Sequence, residues 1–359
     1  MIVMARNKIV ISETAGKQKG NQKRKENKMK KIQIIFIGLM VFAIGCGDLG
    51  QNDADIRAEL LLILDGDDAM GIDGLDDQDP AEGDYNEGVE LDEGLARIVI
   101  DTLWPGGEYH IRFGRRILDH SREVEFEIDG DTAIGFVSHS VDGEFHIFAL
   151  DTLTHEIADS VIKPFTSIFN RKVRFVQGEN PNNPDSTVWR VDALTIGMGG
   201  AGNKVSISSI SIYEISTEND SVSHGELLYN FNADDAGDIF LSREDLPSFT
   251  FRHPVLIEMD VTNLGPEFPM GSGEWGLFHY GRSRHLKGRR FLNDAGLWAD
   301  GVENDNTFSA YWRVHGPGFG HDRRIFRGFF EALDMSSVFV EEENLHTSVW
   351  WFPYRVSRP

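Results

Sequence analysis

Cysteine is almost missing from this chain: Cys46 is the only one in 359 residues. That excludes an intrachain disulfide framework and any cysteine-based zinc site. Basic residues are the next shortage, with 35 Lys+Arg against 58 Asp+Glu and a net charge of -23. The first 45 residues hold 10 of those bases and 2 acids, so residues 46–359 carry 25 bases against 56 acids. Nucleic acid is therefore excluded as a partner, since like charges repel along the whole surface. Long apolar runs are lacking too. The longest, Ile32–Ile44, has 13 residues and one glutamine, short of the roughly 20 that span a membrane. No HExxH or Gly-x-Ser-x-Gly pattern occurs, and the glycines of Gly197–Gly202 do not lead into a helix or end in Lys-Ser/Thr, so zincin, nucleophile-elbow and nucleotide-binding signatures are all missing. What is present is ordinary globular material: 40% hydrophobic and 26% charged residues. At about 150 residues per domain the length suggests two domains.

The apolar run follows Lys30 and Lys31 and ends in Ala43-Ile44-Gly45-Cys46. A short basic stretch, a short apolar core and small residues before a boundary make a secretory leader. The ending resembles the lipobox of bacterial lipoproteins, in which the cysteine is lipidated and becomes the new N-terminus. The resemblance implies residues 29–45 as signal peptide, Cys46 as lipidation site and 46–53 as tether. It also implies a membrane partner through the lipid, in a bacterial cell envelope. Residues 1–28, rich in Lys, Asn and Gln, read as an over-extended start, with Met29 as the initiator.

Asp55–Leu64 has Ile56, Leu60 and Leu64 at helical spacing, and Asp92–Leu103 predicts a second helix stopped by Trp104-Pro105-Gly106. Between them lies an acidic loop. From Arg122 the period changes to two. Arg122–Ile128, Thr132–Val141, Gly143–Asp151, Lys163–Val176 and Trp189–Ile196 predict strands, with Asp129-Gly130-Asp131 as a hairpin turn. The glycine-rich stretch Gly197–Gly202 reads as a loop. The expectation is an α+β domain over 54–215, helices on a curved antiparallel sheet. Gly130-Asp131-Thr132-Ala133-Ile134, the Thr166–Val176 strand and Trp189-Arg190-Val191 resemble SnoaL-like domains of the nuclear-transport-factor cone fold. The resemblance implies a cone whose mouth collects His139, His146, Arg174 and Trp189 as a ligand pocket.

The polar residues 216–224 predict a linker. Residues 225–359 carry strand candidates punctuated every 8–15 residues, the pattern of an antiparallel sandwich. Val255–Pro266 and Leu292–Ser309 resemble segments of secreted bacterial Ig-like domains, implying an all-β Ig-like sandwich. Within that second segment Asp294, Asp300, Asn304 and Asp305 crowd oxygen side chains into one loop. Calcium takes six to eight oxygen ligands, so a structural calcium is one reading. Asx turns, in which the same side chains bond their own backbone, are the other. Two basic runs, Arg282 to Arg290 and Arg323, Arg324 and Arg327, stand out in an acidic chain. They read as ion-pair networks or as a docking patch for an anionic partner.

With no recognisable catalytic set, the leading functional expectation is a lipid-anchored, non-catalytic binding or assembly module with an envelope-protein or glycan partner. A small-molecule hydrolase or isomerase using a first-domain cavity is one rival. A calcium-dependent carbohydrate binder is the other.

Overall fold

Fifteen strands and two helices make up what is seen of the chain in a computed structural model, which describes residues 53–66, 109–218, 221–265, 274–281, 287–297 and 299–359. All of these belong to one unit, Asp53–Pro359. Cys46, the leader 29–45 and the expected helix 92–103 lie outside the described residues.

Helix α1 (Asp53–Gly66) forms where the spacing predicts it, with Asp53 and Asp55 in its first turn and Leu60 and Leu64 buried. Acids there complement the positive helix N-terminus. Three long strands follow: β1 (Tyr109–Asp129), β2 (Thr132–Asp151) and β3 (Ile157–Asn180). Gly130 makes the first hairpin turn, at φ 58°. Along β2 from Thr132 to Ala149, odd-numbered residues are buried and even-numbered ones are not. The two strands expected at 132–141 and 143–151 are one strand. Gly143 lets it pass, because a Cβ there would stand 2.6 Å from the Arg116 carbonyl oxygen. A register shift between Ile117 and Asp119 inserts one residue into β1. Before it Ile111 and Phe113 face inward; after it Phe126 does.

Next come β4 (Asn183–Leu194), β5 (Gly197–Ala201), β6 (Val205–Glu218), β7 (Ser221–Asn232), β8 (Leu241–Ser242), β9 (Ser248–Thr250) and β10 (Pro254–Asn263). The last strands are β11 (Glu274–Gly281), β12 (Lys287–Leu292), β13 (Thr307–Arg313), β14 (Arg323–Asp334) and β15 (Thr347–Ser357), with helix α2 (Ser336–Phe339) between β14 and β15. The large sheet runs β1-β2-β3-β5-β15-β14-β11-β12, and the small one β13-β10-β6-β7.

Three cores hold the layers together. Ile207, Ile210, Ile257, Met259 and Trp312 of the small sheet pack on Phe278, Phe330, Trp350, Phe352 and Tyr354 of the large one. The other face of the large sheet encloses Phe113, Phe145, Phe169, Trp275, Phe329 and Trp351. Leu60 and Leu64 of α1 cover Phe126, Val137, Val173, Phe175 and Trp189. Because β14 and β15 are buried on both faces, their sequences are apolar almost without alternation. The large sheet also curls. Phe113 of β1 stacks on Trp275 of β11 at 4.9 Å, and the Arg289 guanidinium of β12 lies 5.6 Å over the Phe113 ring. The two edges of the sheet thus turn toward each other around the aromatic interior.

This architecture corrects the expected α+β class. Among the described residues one helix has 14 residues and the other four, and the fold is all-β. The period-two pattern continues through both halves, so no cone of helices on a sheet forms. The sheet-on-sheet packing expected for 225–359 is present, but its large sheet includes β1, β2, β3 and β5 from the first half. Within the expected linker, residues 216–218 end β6 and residues 221–224 begin β7, with Thr217 opposite Val222. The run Gly197–Gly202, expected as a loop, supplies β5, which pairs with both β3 and β15.

Candidate functional site

The loop after β12 is closed at its neck by Asn293 and Ser309, whose backbone amides and carbonyls pair at 2.9 Å in both directions. Inside that neck Asp294, Asp300 and Asp305 bring one carboxylate oxygen each to within 4.8 Å of the others. Asp294 and Asp300 are buried, 8% and 7% exposed, while Asp305 is open to solvent. The carboxylates also order the loop. Asp294 accepts the amides of Asp305 and Asn306, both at 3.1 Å. Asp300 accepts the Gly296 amide at 2.6 Å and the Val302 amide at 3.3 Å, and Asp305 accepts the Thr307 amide at 2.9 Å. Asn304 is exposed, at φ 56°, and its amide donates to the Asp294 carbonyl at 3.2 Å. Three of the four expected residues therefore converge through side chains, and Asn304 joins through its backbone. The oxygens suit a hard cation such as calcium, and they make Asx turns as well.

The expected pocket of His139, His146, Arg174 and Trp189 does not assemble. His139 is buried on the inner face of β2, its Nδ1 2.8 Å from His120 Nε2, the two rings stacked at 5.0 Å. Burial, then His120, Arg122 and Arg171, pushes its pKa down to about 4. His146 lies on the opposite face of the same strand, 3.1 Å from Glu144. Positions 139 and 146 differ by an odd number, so a continuous strand must separate them. Arg174 binds Asp192 at 2.7 Å and lies over Phe240 at 4.9 Å. Trp189 is part of the core beneath α1.

The curled sheet buries polar groups that no local pattern announced. Arg115 of β1 forms a buried ion pair with Glu331 of β14, with Arg115 Nη1 3.0 Å from Glu331 Oε2. Thr347 Oγ1 donates to the same carboxylate at 3.0 Å, and His279 Nε2 lies 3.4 Å from it. Arg171 donates to the Thr195 carbonyl at 3.0 Å and lies 5.1 Å over the Trp351 ring. Lys163 donates to the carbonyls of Ser337 and Val340 at 2.8 and 2.5 Å, at the end of α2. Burial pushes that lysine down to about 8. These groups bind one another or the backbone, and aromatic rings fill the space between them.

An open depression forms where the sheet forks. β3 pairs with β5 through Ile168–Asn170 and with β4 through Val173–Asn180. A cleft of about 280 Å³ opens there, with Arg243, Arg324 and Arg327 beside Leu241, Leu246 and Phe326. No family model matches this chain, and neither the curated proteins nor the solved structures searched gave a match.

Proposed function

We propose that the chain is a non-catalytic binding or assembly module, held in a cell envelope by a lipid on Cys46. The observation that supports this is the interior of the curled sheet. There Phe113, Phe145, Phe169, Trp275, Phe329 and Trp351 form one packed aromatic cluster. Its ionisable groups are tied into structural contacts, as in the Arg115–Glu331 pair. A second reading, calcium-dependent binding, is favoured by the convergence of Asp294, Asp300 and Asp305. The test is in-cell cross-linking of the full chain, beside Cys46→Ser. One discrete adduct and membrane fractionation are expected for the parent, with soluble, unacylated protein for the variant. A variant still labelled by palmitate overturns the anchor. A parent that cross-links to nothing overturns the module.

A further inference from the structure

Strand β1 lies at one end of the large sheet. Among the described residues it pairs with β2 alone, so the other edge of its 21 residues carries no strand. A row of unpaired N–H and C=O groups is a template for another strand. The register with β2 tells which side chains share the outer face. Arg112, Arg116, Glu123, Glu125 and Glu127 stand opposite Phe148, Glu144, Ser138, Phe136 and Ile134, all even-numbered. Even-numbered residues of β2 from 132 to 148 are those that are not buried. The five charged side chains therefore lie on one outer face. The extra residue between Ile117 and Asp119 makes this so; in an unbroken strand the arginines and the glutamates would take opposite faces. Bases thus come before the bulge and acids after it. Among the described residues Arg112 and the three glutamates form no ion pair, and Arg116 has only Glu144, at 3.7 Å and partly in solvent.

We propose that two copies of this chain join edge to edge through β1, antiparallel, about a two-fold axis at the bulge. Residues 112–116 of each copy then run opposite residues 123–127 of the other. Arg112 stands opposite Glu127 and Arg116 opposite Glu123, and the symmetry makes each pair twice. Residues 117–122 surround the axis, where the facing bulges need no ladder. Opposite charges directly across two strands stabilise their pairing, and like charges there oppose it. A parallel arrangement would set base against base and acid against acid. Charges and a bulge also protect an edge from pairing, but protection needs no order among the charges. Segregation into a basic and an acidic half is what a self-complementary edge requires. The proposal rests on the assembly reading and deepens it by naming the partner as a second copy.

The test is the mass of the full chain in density-matched detergent, by sedimentation at about 0.15 M salt. Charges more than ~8 Å apart are screened there, so the net charge of -23 does not decide the outcome. The parent should sediment as two chains. One double variant, Arg112→Glu with Arg116→Glu, removes both bases from the face. The other, Glu123→Arg with Glu127→Arg, reverses two of its acids. Each alone should sediment as a single chain. Mixed, the two should form a dimer with one copy of each, because the reversed charges again stand opposite one another. Circular dichroism of each variant confirms folding before the comparison. A parent of one chain, a dimer kept by either double variant alone, or a mixture that stays as single chains overturns the proposal. In-cell cross-linking separates this failure from that of the assembly reading: a parent that sediments as one chain, yet cross-links to a different protein, overturns the β1 pairing and leaves that reading standing.

Discussion

Gly197 lies flat against the indole of Trp351: a Cβ on the glycine would stand 2.2 Å from the ring. The contact sits where β5 joins β15, the pairing that links the first three strands to the last ones. Gly199 is as confined, since its Cβ would come 2.0 Å from the Ile168 carbonyl oxygen. Glycine is needed here so that a short strand can thread between two others and a buried tryptophan.

Gly197→Ala should therefore destabilise the fold by about 3 kcal/mol or more, because neither the fully buried indole nor the paired backbone can move away. Gly301→Ala is the control, as its Cβ would meet nothing within 4 Å. It should stay within about 0.5 kcal/mol of the parent. Urea midpoints of the two variants check this, and equal midpoints would remove β5 as the joint between the halves.

That joint also marks what the sequence could show. Local alternation located β2, in two pieces, and most of β3 and β4, and the helical spacing of Leu60 and Leu64 located α1. Strand β5 was missed because Gly197–Gly202 has the composition of a loop, and only Trp351, far along the chain, explains Gly197. The site residues divide the same way. Asp294, Asp300 and Asp305 lie within 12 residues, so their convergence is local and was readable. His139 and His146 were grouped by residue type, although strand parity places them on opposite faces. Arg115 and Glu331 are 216 residues apart, and no local pattern pairs them.

The Arg115–Glu331 pair gives the next prediction. Glu331 is 1% exposed and Arg115 4%, so removing one partner leaves a buried charge. Glu331→Gln should cost about 3–5 kcal/mol. The double variant Arg115→Met, Glu331→Leu should recover most of that loss, since well-packed apolar residues can replace a buried pair. Denaturant midpoints of the two variants and the parent decide it. A double variant less stable than Glu331→Gln would mean that the pair specifies the curl of the sheet.

Acid should find His139 next. Its pKa is pushed down to about 4 in the folded chain from the ordinary histidine value of 6.5, so between these values the unfolded chain binds more protons. Stability is then lost as pH falls from 6.5 toward 4, by up to about 3 kcal/mol from this group. His139→Gln should flatten the stability profile over that window while leaving higher pH little changed. An equally steep profile in the variant would assign the acid sensitivity elsewhere.

The acidic loop gives the last prediction, and the fold determines how to test it. Residues 225–359 cannot stand alone, because β15 pairs with β5 and β10 pairs with β6; the full chain is required. Three carboxylate oxygens within 4.8 Å of one another repel unless a cation lies between them. Calcium would offset that repulsion and add about 2.7 kcal/mol at a hundredfold excess over its dissociation constant. Asx turns alone predict the opposite pattern, because then each carboxylate serves only its own amides. Asp305 separates the two cases: it is exposed, and its amide bond to Thr307 can be kept by an asparagine oxygen. If calcium binds, the thermal midpoint should rise with calcium, fall with chelator, and lose most of that difference in Asp305→Asn. If the loop is held by turns alone, calcium should change nothing. Asp305→Asn should then match or exceed the parent, having lost one of three crowded charges at no cost in hydrogen bonds. A calcium shift that persists undiminished in Asp305→Asn would place the cation away from this loop.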